Sequence, residues 1–255
     1  MLDLNSIEKA YERVSGVVHR TPFAYAPILS EISGYEVYLK KENLQRTGAF
    51  KLRGAFNKIA SLVENGEEGG VVAASAGNHA QGVAFSAKHF GIDATIVMPE
   101  STPLTKVQGV KELGATVILH GSNYDEAYAY ALTFGKENNY NFVHPFTDDE
   151  VMAGQGTVAL EMFEEVEDLD AIIVPVGGGG LISGISVAVK ALHPEVKIIG
   201  VSAEGAPAMK NSYDAKKAID TTSVRTIADG IAVRDTSPIT LDYILKNVDL
   251  SLIHI

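Results

Sequence analysis

The 255-residue chain contains no cysteine, which excludes a disulfide framework, a thiolate nucleophile and a thiolate metal site together. It also lacks an excess of positive charge: 21 Lys and Arg against 32 Asp and Glu leave a net charge of −11 and a pI near 5.1. Nucleic-acid binding requires phosphate neutralisation and binding to anionic lipid requires electrostatic attraction, so neither partner is expected. No apolar segment of the secretory kind opens the chain. Its start instead carries Glu8, Lys9, Glu12 and Arg13 in an amphipathic helical pattern, and a cytoplasmic location is the expectation. One stretch, Ala171 to Val189, is free of charge and nearly long enough to cross a bilayer. Four consecutive glycines at its centre would each cost a helix about 0.8–1.0 kcal/mol relative to alanine, so it reads as buried strand, glycine turn and helix. Internal repeats, low-complexity tracts and proline-rich linkers are absent as well, so any second domain must be inserted within the first.

What is present is an alternation. Short β-branched runs occur at EVYLK from Glu36, VVAAS from Val71, ATIVM from Ala94, ATVIL from Ala115, AIIVPV from Ala171 and KIIGVSA from Lys197. Segments of helical period lie between and after them, at Asn78 to His89, Leu104 to Leu113, Asp125 to Phe134, Ala153 to Val166 and Leu181 to Ala191. This pattern predicts an α/β protein with parallel sheet covered by helices on both faces, and the chain is long enough to bury a large core.

Three loops carry residues suited to chemistry. Gly177-Gly178-Gly179-Gly180 stands between a predicted strand and a predicted helix, where bare amides and the helix N-terminus favour an anion, naturally a phosphate. The bland alternative is a tight turn, which one glycine would satisfy. The spacing fails the dinucleotide fingerprint, and no phosphate-loop motif of the nucleoside-triphosphate type occurs. Ser75 to Gly82, reading SAGNHAQG, again follows a strand and opens a helix; it is either a second anion cradle or a helix start capped by Ser75 or Asn78. The third segment, Lys40 to Ile59, holds Lys51 after Phe50, although a lysine taken alone is ordinarily a solvated charge.

In order and wording these loops resemble the fold type II pyridoxal-phosphate enzymes, specifically the threonine/serine dehydratase (threonine ammonia-lyase) family. The similarity runs from Arg20-Thr21-Pro22 to Ala228-Asp229-Gly230 and includes VMPESTPLTKVQGVKELGA and HPFTDDEVMAGQGT. The resemblance implies two parallel-sheet domains of the tryptophan synthase β-like class, with residues 50–149 as a smaller domain inserted in a larger one formed by residues 1–49 and 150–249. It also implies that the C-terminal part of the larger domain is missing, together with the residue that would contact the pyridine nitrogen. By the same resemblance Lys51 is the Schiff-base lysine and the α-proton base, Phe50 packs near the ring of pyridoxal 5'-phosphate, and Asn78 bonds its phenolic oxygen. Gly177, Gly178, Gly179, Gly180 and Leu181 bind its phosphate, while Ser75, Gly77 and His79 surround the carboxylate of a small amino-acid substrate. His79 has a second reading, as a helix residue whose ring is satisfied by nearby backbone. The implied reaction is loss of water and ammonia from L-threonine or L-serine, in a protein that is a homo-oligomer (dimer or tetramer) at full length.

Departures from the pattern matter too. The related serine racemases carry a serine hydroxyl where this chain has Ala76, so elimination is expected over racemisation. The racemase-like metal position matches at Glu204 and Ala208 but has Lys210 in place of a carboxylate, so no metal is expected there. Two readings from other classes stand beside this one. Ser75 could be the nucleophile of an α/β-hydrolase-like enzyme, although only His193 and His254 follow the glycine run to serve it, or both loops could hold a phosphorylated metabolite without turnover. Finally, Leu250 to Ile255 reads LSLIHI, which is also the translation of one frame of a transposon-end sequencing adapter; it is either that scar or an apolar strand.

Overall fold

The computed structural model describes residues 1–254. Helix α1 (Leu4–Val14) starts at Asp3, whose carboxylate accepts from the Ser6 amide, and it turns Ile7, Ala10 and Val14 inward at a three-to-four-residue period. Strands β1 (Phe23–Tyr25) and β2 (Tyr38–Lys40) then pair antiparallel around the short helix α2 (Pro27–Ser33). This corrects the expectation for EVYLK, which the alternation groups with the parallel strands. Its partner is a three-residue run too short to announce itself, and a local hairpin of this length closes at little entropic cost.

After helix α3 (Lys51–Glu64) the first parallel sheet forms. Strands β3 (Val71–Ala74), β4 (Ala94–Met98), β5 (Thr116–Leu119) and β6 (Asn141–Phe142) lie in the order β5-β4-β3-β6, all parallel. Helices α4 (Asn78–Phe90), α5 (Leu104–Glu112) and α6 (Tyr124–Asn138) connect them. All four residues of β3 are buried because its Val71 and Ala73 face the α4 side and its Val72 and Ala74 the α6 side, as in a central strand covered on both faces.

Helix α7 (Asp149–Phe163) leads into the second sheet, β7-β8-β9, also parallel, built from β7 (Ala171–Pro175), β8 (Lys197–Ala203) and β9 (Leu250–His254). Helices α8 (Gly180–Leu192), α9 (Ala208–Ala215) and α10 (Pro238–Asn247) accompany it. LSLIH thus pairs as a strand; a run of this hydropathy adds to an open sheet edge whatever its coding origin. The core under this sheet draws Leu2, Ile7 and Ala10 from α1 and its approach together with residues from Met152 onward, so both ends of the chain build it. Helix α3 lies directly on α7: a Cβ on Gly154 would stand 2.5 Å from the Arg53 carbonyl oxygen, so only glycine permits this approach. No helix among the described residues is long and apolar enough to cross a membrane.

Candidate functional site

Lys51 is the first residue of α3, and the preceding Phe50 provides no side-chain cap. The Lys51 ammonium donates to the Pro145 carbonyl at 3.0 Å and lies 5.5 Å from the centroid of the Phe50 ring. Burial disfavours its charge and pushes its pKa down to about 8, so a usable fraction is free amine near neutral pH. Two residues on, at about 200° around the helix, Arg53 points the other way and is fully buried. It donates to Glu42 at 2.9 and 2.8 Å and to Glu161 at 2.6 and 2.8 Å, two forked pairs at once. Lys40 joins Glu161 at 2.7 Å, giving two positive and two negative groups in one buried cluster behind the reactive face.

The loop after β3 begins with Ser75, whose hydroxyl accepts from the Gly77 amide at 3.3 Å. Gly77, not Ser75 or Asn78, occupies the cap position of α4, and no side chain caps it. The amides of Asn78, His79 and Ala80 consequently find no acceptor among the described residues, which leaves three donors at a helix N-terminus for an anion. Asn78 extends towards the loop at Gly230: its Nδ2 is 3.9 Å from where a Cβ on that glycine would be. The His79 ring is buried, and its Nε2 donates at 2.9 Å to the carbonyl of Val143, a backbone group distant in sequence. Its Nδ1 is buried without a partner. Burial first, then the neighbouring Lys51, pushes the His79 pKa down to about 3, and the ring is neutral.

Between β7 and α8 the four glycines fill a space that admits no side chain. A Cβ on Gly178 would meet the Phe146 ring at 2.5 Å, one on Gly180 the Phe146 Cα at 2.9 Å, and Gly179 has a φ of +93°. The amides of Gly177 to Gly180 donate to no group among the described residues, and they gather at the positive end of α8. Leu181 packs against the large core. A bare-amide cradle for a phosphate and a partly desolvated amine are the two features that a phosphorylated aldehyde needs, and this chain supplies both.

Residues that the sequence did not single out complete the arrangement. Thr240, fully buried on α10, donates to the Gly178 carbonyl at 2.8 Å and fixes the glycine loop from behind. Pro145 and Phe146 join Lys51 to the glycine loop. HPFTDDE was the available signal for the latter pair; a single threonine in a helix gives none. The hydrolase reading finds no support in the geometry, because no histidine bonds the Ser75 hydroxyl among the described residues and His193 stacks on Phe163 at 4.1 Å. Lys210 is paired with Asp214.

Residues 14–253 match the family described as pyridoxal-phosphate dependent enzyme. The L-threonine ammonia-lyase of Thermotoga maritima is 53% identical over 249 residues, which are 98% of this chain and 62% of that protein. That of Geobacter sulfurreducens is 48% identical over 248 residues, 96% of this chain and again 62% of the relative. The chain therefore spans less than two thirds of the length of these curated relatives. Among solved structures, maize serine racemase superimposes with a TM-score of 0.95 at 37% identity, covering 99% of this chain and 77% of that one. The processed form of threonine deaminase isoform 2 from Solanum lycopersicum gives 0.93 at 37% identity, covering 98% and 69%. With the family model matched over residues 14–253 and relatives 53% and 48% identical over nearly all of its length, the chain belongs to the family of pyridoxal-phosphate dependent enzymes.

Proposed function

We propose that the protein removes water and ammonia from L-threonine or L-serine, giving 2-oxobutanoate or pyruvate, with Lys51 as the residue that carries the cofactor. The observation that carries this reading is the partly desolvated Lys51 amine held at the Pro145 carbonyl, in a segment that also packs on the glycine cradle. Pyridoxal phosphate, when bound, supplies an aldehyde to an amine and a ring that withdraws electrons from the substrate α-carbon. The amides of Gly177 to Gly180 and the end of α8 would hold its phosphate, with Asn78 and Phe50 at its ring. The amides of the Ser75–His79 loop would hold the substrate carboxylate. The Lys51 amine, with its pKa near 8, can both take and return a proton at Nζ close to neutral pH. Ala76 presents a methyl group that can do neither, which favours elimination over racemisation despite the close backbone likeness to maize serine racemase.

The test is the purified full-length protein with pyridoxal phosphate. A visible absorption band should appear, borohydride should abolish it and leave the label on the Lys51 peptide, and threonine or serine should yield 2-oxo acid. Label elsewhere or none at all would defeat the assignment, and D-serine formed as fast as pyruvate would favour the racemase reading. We also propose the division into 50–149 and the two flanks, supported by the separate cores beneath the two parallel sheets. The adapter origin of residues 250–255 stands as a proposal that resequencing across codon 250 decides.

A further inference from the structure

The segment leaving β6 makes a separate contact with each part of the site. The Val143 carbonyl accepts from His79 at 2.9 Å, the Pro145 carbonyl accepts from Lys51 at 3.0 Å, and Phe146 fills the space that two glycines leave open, with its ring at Gly178 and its Cα and Cβ at Gly180. Within this segment the side chain of His144 folds back on the backbone. His144 Nδ1 accepts from the Phe146 amide at 3.2 Å and from the Thr147 amide at 3.0 Å, as a side-chain acceptor does in an Asx-type turn. That role requires Nδ1 to be unprotonated and places the ring proton on Nε2.

We propose that His144 is a positioning residue: its Nδ1 holds the turn that presents the Pro145 carbonyl to the Lys51 amine and seats Phe146 on the glycine loop. Packing alone does not require a histidine here. The ring sits edge-on to Phe146 at 4.7 Å and to Tyr128 at 6.0 Å, surroundings that any aromatic ring would suit, whereas neither phenylalanine nor tyrosine offers an acceptor at the Nδ1 position. Burial, which outweighs the attraction of nearby Asp148, pushes the His144 pKa down to about 4 and so keeps the acceptor bare at neutral pH. The inference rests on the reading of Lys51 as the cofactor lysine.

Asparagine and glutamine separate the acceptor from the bulk of the ring, because an asparagine oxygen reaches the Nδ1 position and a glutamine oxygen reaches that of Nε2. Wild type, His144→Asn and His144→Gln would be compared, as full-length protein, in two measurements. One is the rate of borohydride-stable attachment of pyridoxal phosphate to Lys51. The other is affinity for 4'-deoxypyridoxine phosphate, which has no aldehyde and reads docking on the glycine loop alone. With thermal midpoints matched, His144→Asn should stay within about threefold of wild type in both, and His144→Gln should lose about tenfold or more in both, as expected for two displaced hydrogen bonds. Equal behaviour of the two variants, whether intact or impaired, would overturn the proposal. Failure of the wild type itself to attach the cofactor at Lys51 would instead bring down the functional reading, and this inference with it.

Discussion

His79 and His144 lie close enough to the Lys51 amine that a charge on one disfavours a charge on the other, and burial penalises both rings before that coupling acts. With folded-state values near 3 and near 4 against an ordinary 6.5, each imidazole binds its proton more readily in the unfolded chain. Between the two values the unfolded state holds more protons, so stability rises with pH there and is lost as pH falls from about 6.5 towards 4, by up to about 1.4 kcal/mol per pH unit per histidine. His79→Gln provides the measurement, since a glutamine amide can still donate to the Val143 carbonyl and does not titrate. The variant should lose less stability than wild type between pH 7 and pH 5, as read by urea midpoints; parallel losses would show that the neutral ring is not a source of acid sensitivity.

The first turn of helix α3 has no side-chain cap and no acidic residue. Arg53 substitutes for these by joining the helix to Glu42 before it and to Thr157 and Glu161 on α7. Arg53→Met would leave Glu42 without a cation and Glu161 with Lys40 alone, with an expected loss of about 3–5 kcal/mol in denaturant unfolding. Arg53→Lys keeps the charge but cannot form two forks, and should fall between the methionine variant and wild type. A loss below about 1 kcal/mol for the methionine variant would mean that water reaches and solvates the carboxylates. None of this was legible in the sequence, where a lone arginine reads as solvated surface. The strands β3, β4, β5, β7 and β8 were legible because each is a compact β-branched run between turn signals. Strand β1, at three residues, and β6, at two, are too short to show a period, and the antiparallel partner of β2 followed from a hairpin, not from the surrounding alternation. At the site, wording carried Lys51 and the glycine run. Phe146 and Thr240 reach the glycine loop only through the packing of distant segments, which no local pattern records.

Over the whole molecule, the two parallel sheets and their cores are bridged on one side by the packed helices α3 and α7, and on the other by the chain between α9 and α10. That strap places Ile231 and Val233 against Gly177, brings Gly230 near Asn78, and fastens to the first sheet's helices through two ion pairs. Lys106 of α5 meets Asp229 at 3.6 Å, and Arg234 meets Asp125 of α6 at 2.7 Å. Both pairs are substantially exposed, so each is a weak fastening and is weakened further by salt. Fastenings this weak beside a well-packed bridge make the strap the first part of the site to open, and Arg225, exposed within it, is a trypsin site that reports the opening. At low ionic strength Arg234→Gln and Asp125→Asn should each speed cleavage after Arg225 by about two- to fivefold, and the double variant should add little to either. Raising the salt should narrow the gap to wild type, since it releases the same contact in the unaltered chain. If both single variants are cut at the wild-type rate, the Arg234–Asp125 pair does not hold the strap, and closure over the glycine loop must depend on the apolar contacts of Ile231 and Val233.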